Sequence, residues 1–427
     1  MKSYKDLSKE ELKSEIEILE KRYNEFKAQN LKLDMTRGKP CAEQLDLSMD
    51  MLDIPAVELR KAADGTDCFN YGVLDGIPEA KALFAQMLEV STDEIMVGGN
   101  SSLNLMYDTI ARAMSLGILG STPWSKLNSV KFLCPSPGYD RHFAICELFG
   151  IEMITIDMKQ DGPDMDTVEK LVSEDDSIKG IWCVPKYSNP DGITYTDEVV
   201  DRFSNLKPKA KDFRIFWDNA YCVHHLTENP DKLKNILKAC KDAGNDNMVY
   251  IFSSTSKVSF PGAGVAVMAT STENIKGIKK SLTIQTIGHD KINQLRHAKY
   301  FKNLDGINSH MKKHADILKP KFNTVLEIFE GELGGKDIAS WNKPNGGYFV
   351  SLNTMDNCAK EVAKLASEAG VALTKAGATF PYGNDPRDRN LRIAPTMPPI
   401  EELKKAIEVL VICVQLVSAN KLLNQLE

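Results

Sequence analysis

The sequence lacks several features that would place it in a common class of protein. It has no excess of basic residues, since 53 Lys and Arg against 59 Asp and Glu leave a formal net charge of −6. Binding to phosphate backbones needs a concentrated basic face, so neither nucleic acid nor an anionic membrane is an expected partner. We also find no signal peptide and no run of about 18 apolar residues that would cross a bilayer.

The cysteines form no metal or redox motif. There are nine, dispersed at positions 41, 68, 134, 146, 183, 222, 240, 358 and 413, and no pair has Cys-x-x-Cys spacing. This spacing argues against a zinc ribbon and a thioredoxin motif, so no metal site is predicted. An odd, dispersed set of thiols fits a reducing compartment, and the composition is that of a globular protein, so we predict a cytoplasmic location.

The sequence does contain short apolar runs that alternate with helical patterns. Ser8 and Glu11 have the spacing of a capping box, and the apolar stripe behind them predicts a helix packed on the body of the protein or on a second subunit. Seven runs between about residues 45 and 300 are typical of buried strands that end in turns: EIMVGG, KFLCPSP, EMITIDM, GIWCVPKYSNP, FRIFWDNAY, MVYIFSSTSK and GVAVMA.

This alternation predicts an α/β fold with a mainly parallel, seven-stranded sheet covered on both faces. We expect three parts: an N-terminal helix and arm over 1–45, which joins the small domain, a large domain over 46–300, and a smaller α+β domain over 301–427. The last contains a KPNGGYFVSL strand signal and a helix from about Ile400. Ligands of open α/β sheets bind beyond the carboxyl ends of the strands, so the residues after each run are the candidates for chemistry.

The first two such ends carry small residues and an aromatic ring. Gly98 to Ser102 form a strand-to-helix turn that suits a phosphate, although most turns of this kind are plain connections. Tyr139 follows the second run and could stack on a flat ring, or be an ordinary core or rim aromatic.

The later ends carry an amide, an acid, a phenol and an amine. Asn189 could donate to a phenolate oxygen, although Asn-Pro-x-Gly is also common turn chemistry. Asp218 follows an apolar run, and burying its carboxylate is costly without a cationic partner. A protonated pyridine nitrogen or an arginine would be such a partner. Together with Tyr221 and Lys257, at intervals of one or two strand–helix units, these residues are the set that pyridoxal phosphate requires.

At this point the chain resembles the fold-type I, aspartate-aminotransferase-like pyridoxal phosphate enzymes over almost its whole length. The motifs that carry the resemblance occur in the family's order: YGVLDGIPEAK, PSPGY, SNPDG, DNAY, SSTSK, PNGGYF and NLRIAP. Two further segments, LDMTRGKP and VGGNSSLNLM, are similar to a bacterial branch of aspartate aminotransferases.

The resemblance implies a role for each matching residue. Lys257 forms the Schiff base with the cofactor and moves the substrate proton, Asp218 pairs with the pyridine nitrogen, and Tyr139 stacks on the ring. Asn189 and Tyr221 hydrogen-bond the phenolate oxygen. The phosphate is bound by Asn100, Ser101, Ser102 and Ser254. In the homodimer that the resemblance implies, Tyr71 contacts the phosphate of the neighbouring subunit. The substrate is contacted by Arg392, Gly38, Asn189 and Arg37.

Two departures from the family's pattern leave questions open. Relatives usually carry an arginine for the phosphate shortly after the lysine, but the matching position here is Gly264, so another cation is needed. No arginine in segment 282–297 clearly matches the one that binds a distal carboxylate in the best-known aspartate aminotransferases. The open alternatives for that role are Lys291, Arg296, Arg37, Lys39 and Arg141.

The leading hypothesis is therefore a transaminase that moves an amino group between an amino acid, aspartate or glutamate, and a 2-oxo acid by ping-pong kinetics. The alternatives are a lyase or decarboxylase on the same scaffold and a non-catalytic effector-binding module. Only about 35 residues precede TRGKP, too few for a DNA-binding winged helix. A nucleotide-dehydrogenase interpretation of Gly262-Ala263-Gly264 fails, because no third glycine follows at the required spacing.

Overall fold

The structure is a computed structural model that describes residues 2–426. Its helices are α1 (Lys9–Lys27), α2 (Ala42–Asp46), α3 (Pro78–Leu88), α4 (Ser102–Leu116), α5 (Asp140–Leu148), α6 (Met165–Glu174), α7 (Asp197–Ser204), α8 (Ile236–Asp242), α9 (Thr272–Gln285), α10 (Lys291–Phe301), α11 (Leu304–Leu333), α12 (Ala359–Glu368) and α13 (Ile400–Gln425). Its strands are β1 (Leu33–Met35), β2 (Ile95–Val97), β3 (Lys131–Ser136), β4 (Glu152–Lys159), β5 (Gly162–Pro163), β6 (Ile178–Cys183), β7 (Arg214–Asp218), β8 (Val249–Ser254), β9 (Ala266–Ala269), β10 (Ala339–Trp341), β11 (Val350–Thr354), β12 (Val371–Leu373) and β13 (Asn390–Ile393).

The central sheet has the strand order β2-β9-β8-β7-β6-β3-β4-β5. Strands β4, β3, β6, β7 and β8 are parallel to their neighbours in that series, whereas β9 runs antiparallel to both β8 and β2. All seven predicted runs form strands of this sheet, which confirms the α/β fold class. The eighth strand, β5, has two residues paired with the end of β4, and so short a strand leaves no pattern in the sequence.

The sheet is covered on both faces, as its apolar runs predict. Every residue of β7 is buried, and its alternate side chains enter different cores. Ile215 and Trp217 pack in the cluster that includes α3 and α7 residues, whereas Phe216 packs with Phe132 and Trp182 in the cluster on the opposite face.

A second set of elements packs outside the large sheet. Strands β10, β11 and β13 form an antiparallel sheet, and β1 pairs with β12 in parallel although the two are far apart in the chain. Helix α1 begins at the predicted capping box of Ser8 and Glu11, and it packs on α13 through its apolar stripe. The N-terminal arm thus lies among the C-terminal elements. The domain boundaries near residues 45 and 300 stay a prediction.

Helix α13, which the sequence predicts from about Ile400, is strongly apolar. Among the helices of residues 2–426 it is the one that is long and apolar enough to cross a membrane. However, 72% of its most apolar part is buried inside the protein, where it packs against α1, α11 and α12. Its apolar residues are therefore accounted for by packing in the core.

Candidate active site

The sheet order brings the candidate residues to one edge. Strands β7 and β8 are parallel neighbours, so Asp218 at the end of β7 lies beside the segment that leads from β8 to Lys257. Strand β9 returns from that edge, with Ala266 opposite Ser254. Hydrogen bonds of 2.8 Å from Gly98 N–H to the Ala266 carbonyl and from Ala266 N–H to the Gly99 carbonyl place the predicted phosphate turn at the same edge.

The carboxylate of Asp218 is buried, and only one of its two oxygens has a hydrogen-bond partner among the described residues. Its Oδ2 lies 3.0 Å from Nε2 of His142, whose ring is stacked on Trp182 with the ring centroids 4.4 Å apart. The Asp218 Oδ1 is buried without a hydrogen-bond partner among the described residues. A buried carboxylate oxygen left unpaired is costly. The orphan oxygen therefore indicates a place for a donor that the protein itself does not supply.

Tyr139 lies beside this carboxylate. It caps α5, and its ring meets His142 edge to face with a centroid separation of 4.9 Å. Burial raises the pKa of the Tyr139 hydroxyl to about 12, and the charge of Asp218 adds to the shift. Sequence reasoning missed His142, although its spacing of three residues from Tyr139 at the start of a helix places both side chains on one face.

The Lys257 amine lies beside two aromatic rings that stack on each other with their centroids 6.0 Å apart. Its Nζ is 5.0 Å from the ring centroid of Tyr221 and 5.7 Å from that of Tyr348. Burial lowers the pKa of Lys257, and only the nearby charge of Asp218 works against that shift. A lowered pKa increases the fraction of neutral amine, which is the form that attacks a carbonyl or accepts a proton.

A buried hydrogen-bond chain connects the segment at Cys41 and Gln44 with Tyr348 and helix α11. The Cys41 N–H donates to Oε1 of Gln44 at 3.1 Å, which fixes the amide so that its Nε2 donates to the Tyr348 hydroxyl and to Nδ1 of His314, both at 3.0 Å. His314 must then carry its proton on Nε2, which lies 3.1 Å from Nε2 of His310. The chain ends at His310, because its Nε2 accepts from His314 and so carries no proton for the Val258 carbonyl, which lies 2.9 Å away.

This arrangement makes stability depend on pH. Burial, reinforced by repulsion from His310, lowers the pKa of His314 to about 4, and burial likewise lowers the pKa of His297 to about 4. The unfolded chain therefore binds more protons between pH 6.5 and 4, so the free energy of unfolding should fall as the pH drops through that window. We expect His314→Gln to remove at most about 3 kcal/mol of this dependence. Chemical denaturation at several pH values measures it, and an unchanged slope would contradict the assignment of a neutral His314.

The predicted phosphate turn opens helix α4. Ser101 is the N-cap, with its Oγ accepting from the Leu103 N–H at 3.2 Å. The Oδ1 of Asn100 accepts from the Gly264 N–H at 2.8 Å, which joins this turn to the segment after Lys257. Ser254 Oγ lies 3.0 Å from Ser256 Oγ on that side. The structure thus brings the hydroxyl-rich segments predicted for a phosphate against one another.

Gly264 has no room for a side chain without adjustment. A Cβ there would lie 3.2 Å from two oxygens of Asn100 and 3.3 Å from the Phe260 carbonyl. His289 also lies near this turn, since its Nδ1 is 3.7 Å from the place that a Cβ would take on Gly99, but burial lowers its pKa and so favours the neutral imidazole. The sequence reading did not consider His289, because no motif marks it.

Arg392 enters the site from β13. Its guanidinium is buried and lies 5.0 Å from the ring centroid of Phe349. Its Nη1 donates to Asn189 Oδ1 at 3.4 Å and to Asp140 Oδ1 at 2.8 Å. Because arginine has only donors, Asn189 turns its oxygen to Arg392 and keeps its Nδ2 free to donate elsewhere.

Gly38 packs against that same Phe349. A Cβ on Gly38 would lie 2.5 Å from the Phe349 Cζ, so a larger residue would push the ring that covers Arg392. A side chain at position 38 would therefore clash with Phe349 before it reached a substrate. The direct contact of Gly38 with the substrate stays a prediction. Arg37, the further substrate candidate, is exposed.

Tyr71 projects away from the body of the chain. It is 82% exposed, and its loop is held by Lys291, whose Nζ donates to the Asn70 and Gly72 carbonyls at 2.6 and 3.0 Å. The Lys291 ammonium is therefore engaged by backbone. Of the other cations considered for a distal carboxylate, Lys39 and Arg141 are exposed and Arg296 is half-buried.

Comparisons with known proteins identify the family. The family model described as aspartate amino-transferase matches residues 7–426. The aspartate aminotransferase of Corynebacterium glutamicum is 47% identical over 409 residues, which is 96% of this chain and 94% of the relative. A crystal structure of an aspartate transaminase from the same species has a TM-score of 0.96 and 46% identity, and the match covers 98% of this chain and 99% of that chain.

More distant structures share the fold. An α-aminoadipate aminotransferase from Thermus thermophilus, solved with N-(5'-phosphopyridoxyl)-L-leucine, has a TM-score of 0.74 at 19% identity, covering 92% of this chain and 93% of that chain. The predicted fold, cofactor and transaminase activity are thus confirmed, and the lyase, decarboxylase and effector-binding alternatives are not favoured. The chain belongs to the aspartate amino-transferase family and is a pyridoxal phosphate-dependent aminotransferase of fold type I.

Proposed function

We propose that this aminotransferase takes its amino group from aspartate or glutamate and passes it to a 2-oxo acid. The name of the C. glutamicum relative supports a dicarboxylate substrate, because 47% identity extends over nearly the whole of both chains. The observation that carries the site assignment is the buried, unpartnered Oδ1 of Asp218 at the same edge as Lys257. One site serves both half-reactions, so the kinetics are ping-pong.

The residues present fit the cofactor. Asp218 would hold the pyridine N–H on its orphan Oδ1, and Tyr139 offers a ring face beside it. Asn189 Nδ2 and the Tyr221 hydroxyl would hold the phenolate oxygen. The phosphate would meet the positive end of the α4 dipole and the hydroxyls of Ser101, Ser102 and Ser254, with Asn100 shaping the turn and the His289 imidazole close to Gly99.

The chemistry divides between the cofactor and the chain. Pyridoxal phosphate, when bound, supplies an electron-withdrawing ring that weakens the bonds at the substrate Cα. Lys257, whose pKa burial lowers, would accept the proton of the substrate Cα on its Nζ and donate it again within the site. Asp218, whose Oδ2 is held by His142, would place its Oδ1 against the ring nitrogen and stabilise positive charge there. Arg392 binds the substrate α-carboxylate with its planar fork.

The assembly that we propose is a homodimer in the cytosol. Tyr71 is a large aromatic ring on an anchored loop, and at 82% exposure it is placed to contact a second copy of the chain. Cyclic two-fold dimers are the commonest oligomers. The nine cysteines are free thiols and eight of them are buried, which fits a reducing compartment.

The substrate class is tested by single half-reactions. The holoenzyme is mixed with one amino acid at a time, and absorbance follows conversion to the aminated cofactor. We expect kcat/KM for aspartate and glutamate to exceed that for alanine by about 10- to 100-fold, the effect of one additional charge-assisted contact. Leucine and phenylalanine are the matched controls. If they react and both dicarboxylates do not, the proposed substrate class is wrong.

A further inference from the structure

Arg392 already has a carboxylate bound. The Asp140 Oδ1 lies 2.8 Å from its Nη1, and this ion pair joins residues that are 252 positions apart. The arginine side chain is 7% exposed, whereas that of Asp140 is 34% exposed. Asp140 is the first residue of α5, directly after Tyr139. The pair thus connects a deeply buried cation with an acid at the rim of the site.

The other contacts of Arg392 are weaker. Its Nη1 is 3.4 Å from Asn189 Oδ1, its Nη2 is 3.5 Å from Thr374 Oγ1, and its Nε is buried without a hydrogen-bond partner among the described residues. The Asp140 bond is the shortest of the set and the only one to an anion. It is the same interaction that a substrate carboxylate would make.

We propose that Asp140 is a resident competitor: it occupies the carboxylate-binding end of Arg392 when no substrate is bound, and the substrate α-carboxylate displaces it. This inference rests on the proposed role of Arg392. A buried guanidinium without a counter-ion is costly, so an empty site benefits from an internal carboxylate. Asp140 can leave at low cost because it contacts Arg392 through one oxygen and its side chain reaches solvent.

The exchange has a consequence for turnover. A ping-pong enzyme must release a 2-oxo acid before the second substrate enters, and that product carries the same carboxylate. When Asp140 returns to Arg392, it compensates for the contact that the departing product loses. Asp140 therefore weakens the binding of every carboxylate at this position and favours product release.

The test compares carboxylate binding to holoenzyme variants by calorimetry, with propionate and maleate as non-reacting probes. In Asp140→Asn we expect both probes to bind roughly three- to tenfold more tightly, the effect of removing one partly exposed charged competitor. Asp140→Glu restores the competitor and should bind like the wild type. The matched control is Glu147→Gln, which removes the same charge from an exposed position on the same helix and should change nothing.

The outcomes separate this inference from the proposed function. Weaker binding in Asp140→Asn would mean that Asp140 orients Arg392 for its ligand, and unchanged binding would mean that the pair has no role; either result overturns the inference. Arg392→Gln should abolish binding of both probes. If it does so while Asp140→Asn has no effect, only the competitor fails. If propionate binds Arg392→Gln normally, Arg392 does not hold the α-carboxylate, and both the competitor and the proposed role of Arg392 fail.

Discussion

Replacement of Lys257 by alanine is expected to lower kcat by at least about 10⁴-fold, because the same amine carries the cofactor and moves the substrate proton. Alanine leaves no amine at the position of the Lys257 Nζ, which lies 5.0 Å from the ring centroid of Tyr221 and 5.7 Å from that of Tyr348. The single-turnover rate with aspartate, followed by absorbance, measures the loss.

A second buried lysine provides the control for this variant. Lys186 is 9% exposed, lies 5.6 Å from the Tyr187 ring centroid, and has a pKa that burial lowers. Lys186→Met removes a similar charge in a similar setting and should leave kcat within a few-fold of the wild type. Borohydride treatment followed by mass spectrometry should attach the cofactor to the wild type and to Lys186→Met, but not to Lys257→Ala. Attachment of the cofactor to Lys257→Ala at full yield would contradict the assignment of Lys257 as the Schiff-base lysine.

Asp218→Asn should have the second largest effect, a loss of about 10²- to 10³-fold in kcat, comparable to the loss of one preorganised electrostatic contact. An amide at this position has the shape of the carboxylate but not its charge, so a proton on the ring nitrogen loses its stabilisation. The bond to His142 also changes character, because a neutral amide oxygen attracts the imidazole N–H less strongly than a carboxylate does. Steady-state kinetics and the pH dependence of the cofactor absorbance measure the two effects.

Asp212→Asn is the matched control for that variant. Asp212 is also buried, and it accepts from Trp124 Nε1 and Lys179 Nζ, both at 2.8 Å, at the opposite end of β7. Its neutralisation should lower the free energy of unfolding and leave kcat within a few-fold of the wild type. A kcat of Asp218→Asn within threefold of the wild type would contradict the pyridine-nitrogen assignment.

The sequence alone was sufficient to predict the strands of the large sheet and many of the candidate site residues. Runs such as FRIFWD are apolar throughout because both faces of the strand are covered, and this local signal survives in the amino-acid order. Chemistry-bearing residues follow the carboxyl ends of such runs, so Asp218 and Lys257 could be assigned to one edge before any contact was known. The capping box at Ser8 is equally local, and helix α1 begins where it predicts.

Only the tertiary structure decided which side chains meet. The pairing of Asp140 with Arg392, the hydrogen bond from Gln44 to His314 and the contact of Gly38 with Phe349 each join segments that lie far apart in the chain. Neither partner of such a contact leaves a periodic or spacing signal, because the relation between the two exists only after the sheet and the C-terminal elements have packed together. The sequence thus determined the elements and the edge where chemistry is placed, and packing determined the electrostatic state of each group at that edge.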